Sequence, residues 1–216
     1  MKFEVNTKGD LVSSSSLWGK HLPELRIPDG TEVVGKGGFS EYGITIDRLV
    51  IPPSVKRIKE KAFSDCAIKE LIIEDGDVPL AIDGSSFAHN ELEELVLPKR
   101  VWYVGKQSFS YCSRLKDLKD GIGLRIIYTE AFMQTSIKSL DFEKFAPFVT
   151  TIKAKAFSGC GLQTLRFPSP MYTPVEISED AFEGNDVEEV RIRADTFVES
   201  DLEVFEGIKN ARKIIN

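Results

Sequence analysis

The chain has 216 residues, 42% of them hydrophobic, 10% aromatic and 29% charged, with 28 Lys and Arg against 34 Asp and Glu for a net charge of −6. That supplies apolar material for a core in one or two domains, and too acidic a balance for a surface that captures nucleic acid or anionic membranes. Two histidines, His21 and His89, leave little for an imidazole-based metal or acid–base site.

At the N-terminus, MKFEVNTKGDLVSSSS is broken by Glu4, Asn6, Lys8 and Asp10, so it lacks the apolar run of roughly 7–15 residues that a secretory signal needs. No segment nears the roughly 20 apolar residues that span a bilayer, and membrane insertion is not expected. Localisation stays open between an intracellular protein and one exported with its signal removed. Phe3 and Val5, then Leu11 and Val12, flank the turn-like Asn6-Thr7-Lys8-Gly9 and predict a hairpin that closes an open sheet end. Residues 13–16, all serine, read as an exposed loop. Gly35-Lys36-Gly37-Gly38 lacks the spacing of a phosphate loop and reads as a corner that needs small residues.

An internal repeat runs through the rest. Phe39, Phe63, Phe87, Phe109, Phe132, Phe157, Phe182 and Phe205 lie 22–25 residues apart, a period typical of solenoids. Ala62, Ala131, Ala156 and Ala181 precede four of them, Ser86 and Ser108 two more. A small residue there suits a tight turn that aims the ring inward. Eight positions after the Phe comes an aliphatic residue (Leu71, Leu95, Leu140, Leu165, Val190), and two further on a second apolar one (Ile73, Leu97, Phe142, Phe167, Ile192). Apolar residues two apart are the period of a half-buried strand, which predicts strands at 48–52, 70–74, 94–98, 139–143, 164–168 and 189–193. A second apolar pair before each Phe (Val55 and Ile58, Val101 and Val104, Ile126, Val149 and Ile152) predicts an opposite wall. Strands recurring in one direction pair in parallel from coil to coil. The expected fold is a β-rich, right-handed solenoid of about eight coils, with short parallel strands on two walls and terminal caps. It is read as one domain over 1–216: an N-terminal cap at 1–24, repeats at 25–192, and a degenerate repeat with a C-terminal cap at 193–216. Phe197, Leu202, Phe205 and Ile208 predict a helical or irregular cap, finished by Ile214 and Ile215.

AFSDCAIKELIIE (62–74), SFAHNELEELVLP (86–98) and AFSGCGLQTLRFP (156–168) resemble the BspA-like leucine-rich repeat, with its AF-x-x-C/N-x-x-L-x-x-L-x-L-P pattern. The Phe109 repeat departs from it with Asp120 at an aliphatic slot, and the Phe132 repeat with Thr135 in place of Cys or Asn. The resemblance implies a curved, non-catalytic recognition scaffold of the kind associated with bacterial surfaces, adhesion and protein–protein contact.

Cys66, Cys112 and Cys160 each lie three residues after a repeat Phe, a slot that Asn90 and Asn185 fill elsewhere. Its expected role is to satisfy backbone groups at a buried turn. Coils stack about 4.8 Å apart, so cysteines in alternate coils sit roughly 10 Å apart, too far for a disulfide. All three are predicted free and buried. No C-x-x-C occurs, and His89 is the one plausible partner for a catalytic thiol. Glu74, Asp75 and Asp77 lack calcium-loop spacing and read as a solvated loop. No catalytic, metal or cofactor residue is assigned, and the chain is expected not to be an enzyme.

The expected partner is a protein, held on the strand face between the paired aliphatics. That column runs Val50, Ile72, Val96, Asp141, Arg166 and Arg191, and Arg48, Glu70 and Glu94 stand beside it. Its first half reads as an exposed apolar patch, against the alternative that β-branched residues merely favour strands. Trp102 and Tyr103 lie between inward Val101 and Val104, so at least one faces out, and they form a secondary candidate site. The same pair could stack on sugar, and a carbohydrate- or cell-surface-binding adhesin is the alternative reading.

Overall fold

A computed structural model describes residues 3–167, 175–192 and 212–215. It is a β-solenoid of about seven turns with parallel strands and almost no helix. The eighth coil expected around Phe205, and the cap expected from Phe197, Leu202 and Ile208, lie outside the described residues. Ile214 and Ile215 belong to a strand, Arg212–Ile215, that pairs in parallel with Glu189–Ile192, not to a helical or irregular cap.

Among the described residues, one wall is a single nine-stranded sheet. It begins with a hairpin, Phe3–Val5 antiparallel to Leu11–Ser13. Parallel strands follow at Val33–Val34, Arg57–Ile58, Leu80–Ile82, Val101–Val104, Ile126–Ile127, Thr151–Ile152 and Glu176–Ile177. Register carries one column inward, through Val34, Ile58, Ile82, Val104, Ile127, Ile152 and Ile177. Alternation then turns Val33, Arg57, Ala81, Tyr103, Ile126, Thr151 and Glu176 outward. The serine stretch is not wholly exposed: Ser13 ends a strand and is buried with Ser14, while Ser15 and Ser16 face solvent.

The opposite wall is broken into three sheets among the described residues. His21–Arg26, Thr45–Ile51 and Glu70–Ile73 form the first, Glu94–Val96 and Asp117–Lys119 the second. Ser139–Asp141, Thr164–Arg166, Glu189–Ile192 and Arg212–Ile215 form the third. The strand predicted at 139–143 stops at Asp141, whose carboxylate accepts the Glu143 N–H at 3.1 Å and caps the short helix Phe142–Phe145. That helix lies against the Asp120 departure. A Cβ on Gly121 would come within 2.7 Å of the Phe145 carbonyl oxygen, so glycine is required where the helix crosses.

The phenylalanine corner is built of turns, as the sequence suggests, and their stacking makes a third wall. Seven rings, from Phe39 to Phe182, stack with centroids 4.8–5.7 Å apart and planes within 16° of parallel. Phe3 closes the near end edge-on to Phe39. In the coils of Phe63, Phe87, Phe109 and Phe132, three amides bond to the next coil. Lys61 N–H donates to the Gly84 carbonyl, Phe63 to Ser86 and Asp65 to Ala88, at 2.8–3.0 Å. The same pattern recurs at Ser85, Phe87 and His89, at Gln107, Phe109 and Tyr111, and at Glu130, Phe132 and Gln134. The residues two before and two after the Phe hold φ of 53–59° in these coils. All three donors point toward the C-terminal neighbour. A non-glycine residue held there costs roughly 1 kcal/mol, and three inter-coil bonds of about 1 kcal/mol each offset two such residues.

Candidate functional site

The broken wall carries most of the residues expected to bind. Arg48 lies between Glu24 and Glu70, at 3.5 and 3.4 Å. Lys119 pairs with Glu94, and Arg191 with Glu189. Arg166 reaches Glu143 at 2.6 Å and Asp141 at 3.8 Å. The basic half of the column is therefore neutralised by its own neighbours. Exposed pairs of this kind contribute about 0–1 kcal/mol each, and they leave little free charge to attract a ligand. Ile72 and Val96 are half-buried.

Val50 does not face solvent as expected: it is 6% exposed. The Arg26 guanidinium donates to both Glu74 carboxylate oxygens, at 2.7 and 3.0 Å. Arg26 and Glu74 belong to the coils on either side of the Val50 strand, so their bridge spans it and roofs Val50. The same hydrogen bonds hold the Glu74 carboxyl below the usual carboxylate range. Glu74 is thus a partner of Arg26 and not part of a solvated acidic loop. The apolar patch predicted on this wall contracts to two half-buried side chains on strands that do not pair.

The continuous wall gathers aromatic surface instead. Val101 pairs with Leu80, and Tyr103 with Ala81, which leaves Trp102 as an extra residue in a β-bulge. A bulge re-aims a side chain while the ladder continues, and here both aromatics reach the surface. Trp102 is 42% exposed and Tyr103 half-buried. Their ring centroids are 5.4 Å apart, and Tyr103 lies 5.1 Å from Tyr128 on the next coil. Outward Ile126 adjoins Tyr103, and the Arg125 guanidinium sits 5.3 Å over the Phe148 ring. Burial, then the Asp83 carboxylate and Tyr128, raise the Tyr103 phenol pKa, so at neutral pH it is an uncharged donor. Sequence reading missed Tyr128. The signal was present in the 22–25-residue spacing, which sets Tyr128 opposite Gly105, beside the Tyr103 column.

The thiols sit in the core. Cys66, Cys112 and Cys160 are free and buried. Desolvation pushes the first two up to about 12 and the third to about 11. The shared slot satisfies carbonyls as expected. Asn90 Nδ2 donates to the Phe63 and Phe87 carbonyls at 2.9 Å, and Cys112 Sγ bonds the Phe87 carbonyl at 3.3 Å. Thr135 fills the same slot and donates to the Phe132 carbonyl at 3.0 Å. His89 meets no thiol: it faces solvent and stacks on Tyr111. Among the described residues, no three His, Cys, Asp or Glu side chains converge as a metal-holding group. Arg100, which the sequence did not single out, is buried, feels the charges of Asp75 and Glu74, and bonds to backbone carbonyls. It donates to the Pro52, Val55 and Glu74 carbonyls at 2.6–3.0 Å, tying together connections between the walls over two coils.

The sequence pattern described as the BspA type leucine rich repeat region matches residues 11–119 and 125–215, in six copies. No curated protein matches the chain. Among solved structures, a T. pallidum leucine-rich repeat protein is 17% identical with a TM-score of 0.51, over 100% of this chain and 78% of that one. The pneumococcal vaccine antigen PcpA is 15% identical with a TM-score of 0.45, over 95% and 91%. A leucine-rich cell surface protein of Faecalibacterium prausnitzii is 14% identical with a TM-score of 0.31, over 99% and 93%. The T. pallidum likeness is one of fold alone. With the repeat pattern matched along nearly its whole length, the chain belongs to the BspA-type leucine-rich repeat family.

Proposed function

We propose that the chain is a non-enzymatic recognition module that holds a protein partner on the aromatic patch of its continuous wall. The observation that carries this reading is the bulge that turns Trp102 outward beside Tyr103 and Tyr128. Trp, Tyr and Arg are the usual energetic anchors of protein interfaces, and a rigid parallel sheet presents them with little ordering cost on binding. The broken wall, expected from sequence to be the binding face, is the weaker candidate because its charges are already paired and Val50 is roofed.

The test compares two double variants of the immobilised chain for capture of proteins, identified by mass spectrometry. Trp102→Ala with Tyr128→Ala is expected to abolish a specific capture that Ile72→Asp with Val96→Asp retains, both folding normally by circular dichroism. The opposite pattern would return the site to the broken wall. Capture unchanged by either pair would remove both faces.

A further inference from the structure

The outer surface of the phenylalanine corner holds a groove of about 360 Å³, lined by serine hydroxyls, Lys61, Asp65 and the His89–Tyr111 pair. It is separate from the aromatic patch of the continuous wall. We infer that this groove is a binding site for a neutral saccharide.

Two rings stand along its side. His89 and Tyr111 are stacked with centroids 4.9 Å apart and planes 1° from parallel, and Tyr111 is 45% exposed. Each sits two residues after its spine phenylalanine, with φ of 58°. In later coils the same position is Gly159 or Gly184, the residue that this backbone favours. The slot also takes Asp65 and Gln134 at the same φ, and among the described residues it carries a ring in these two adjacent coils alone, where both rings line the groove.

The rest of the lining fixes the ligand chemistry. A hexose presents an apolar C–H face, which lies against aromatic rings, and a rim of hydroxyls that both donate and accept. The groove supplies both halves of that rim. Asp65 accepts, while its other contact is the Ser64 hydroxyl. The Lys61 ammonium and the Ser85 hydroxyl face the same space as donors. With one carboxylate and one ammonium in its lining, the groove has no excess of lysine over carboxylate to hold an anion, which argues against phosphate or an acidic sugar. A volume of this size fits one or two sugar units.

The test prints neutral and acidic oligosaccharides on an array, then titrates each hit into the wild-type chain and its variants. The expected result is retention of neutral oligosaccharides. Tyr111→Gly and His89→Gly should each weaken binding at least tenfold while melting at or above the wild-type temperature, because glycine relieves the left-handed backbone. Asp65→Asn should weaken it as well, and Trp102→Ala should leave it unchanged. No retention on the array, retention of acidic sugars alone, or binding lost through Trp102→Ala and kept by Tyr111→Gly would each overturn the assignment. The Trp102→Ala arm also separates this site from the proposed protein-binding face.

Discussion

Replacing Phe109 by alanine tests how the coils are held together. Phe109 is fully buried and lies between Phe87 at 5.3 Å and Phe132 at 5.5 Å, each within 7° of parallel. Phe→Ala in a core costs roughly 3–5 kcal/mol, and the loss of two stacked partners, each worth about 0.5–1.5 kcal/mol beyond area, places this site near 5 kcal/mol. A typical domain is stable by about 5–15 kcal/mol in total. The void interrupts an array in which each coil is stabilised by its neighbours, so cooperativity should break there. The two tryptophans are suited to report this. Trp18 stacks on Tyr42 at 4.6 Å in the first coil, and Trp102 belongs to the coil of Phe109. In urea, followed by fluorescence of the single-tryptophan variants Trp18→Phe and Trp102→Phe, the parent transitions should coincide. In Phe109→Ala, Trp102 should report unfolding at lower urea than Trp18. A loss below about 1 kcal/mol with coincident transitions would refute the stacked spine as the source of inter-coil cohesion.

Further outcomes follow from the same geometry. Gln134 holds φ of 58° and precedes coils that use glycine at this position, so Gln134→Gly should raise stability by about 0.5–1 kcal/mol in denaturant titration. Arg100→Met removes the donors of three carbonyls at 2.6–3.0 Å and should cost about 3 kcal/mol, measured by calorimetry. Burial pushes the Asp10 carboxyl up, but hydrogen bonds from Lys59 (2.6 Å) and Asn6, with the Lys59 charge, outweigh it and leave the pKa lowered. Its stabilisation is complete above the ordinary carboxylate range and is lost as pH falls through the lowered value. Asp10→Asn should therefore flatten the acid limb of a stability–pH curve and leave its slope near neutrality unchanged. With thiols at about 11–12, an aromatic disulfide reagent at pH 8 should modify none of the three until urea unfolds the chain.

The spine and both walls were legible because each rests on a period: the Phe ruler, the paired aliphatics and the small residue before each ring. The buried, unbridged cysteines were legible from coil spacing. What escaped depends on contacts between coils that no period encodes. Val50 follows the outward pattern, yet it is covered by Arg26 and Glu74, which lie 48 residues apart. Asp141 follows the strand pattern, yet its side chain caps a helix two residues on. The phenylalanine corner hid its hydrogen bonding because Lys61, Ser85, Gln107 and Glu130 share a backbone conformation and not a residue type. The candidate face moved for a related reason: Trp102 gains its exposure from one extra residue in a ladder.

Amide hydrogen exchange followed by NMR probes that hidden wall residue by residue. Asp65, His89, Tyr111 and Gln134 are solvent-facing and would exchange within seconds if they stood in ordinary turns. Bonded to the next coil at 2.8–3.0 Å, their amides should instead be protected nearly as strongly as those of Phe63, Phe87, Phe109 and Phe132. Loop-like exchange at those four amides, beside slow exchange at the phenylalanines, would contradict a solenoid closed on three hydrogen-bonded sides.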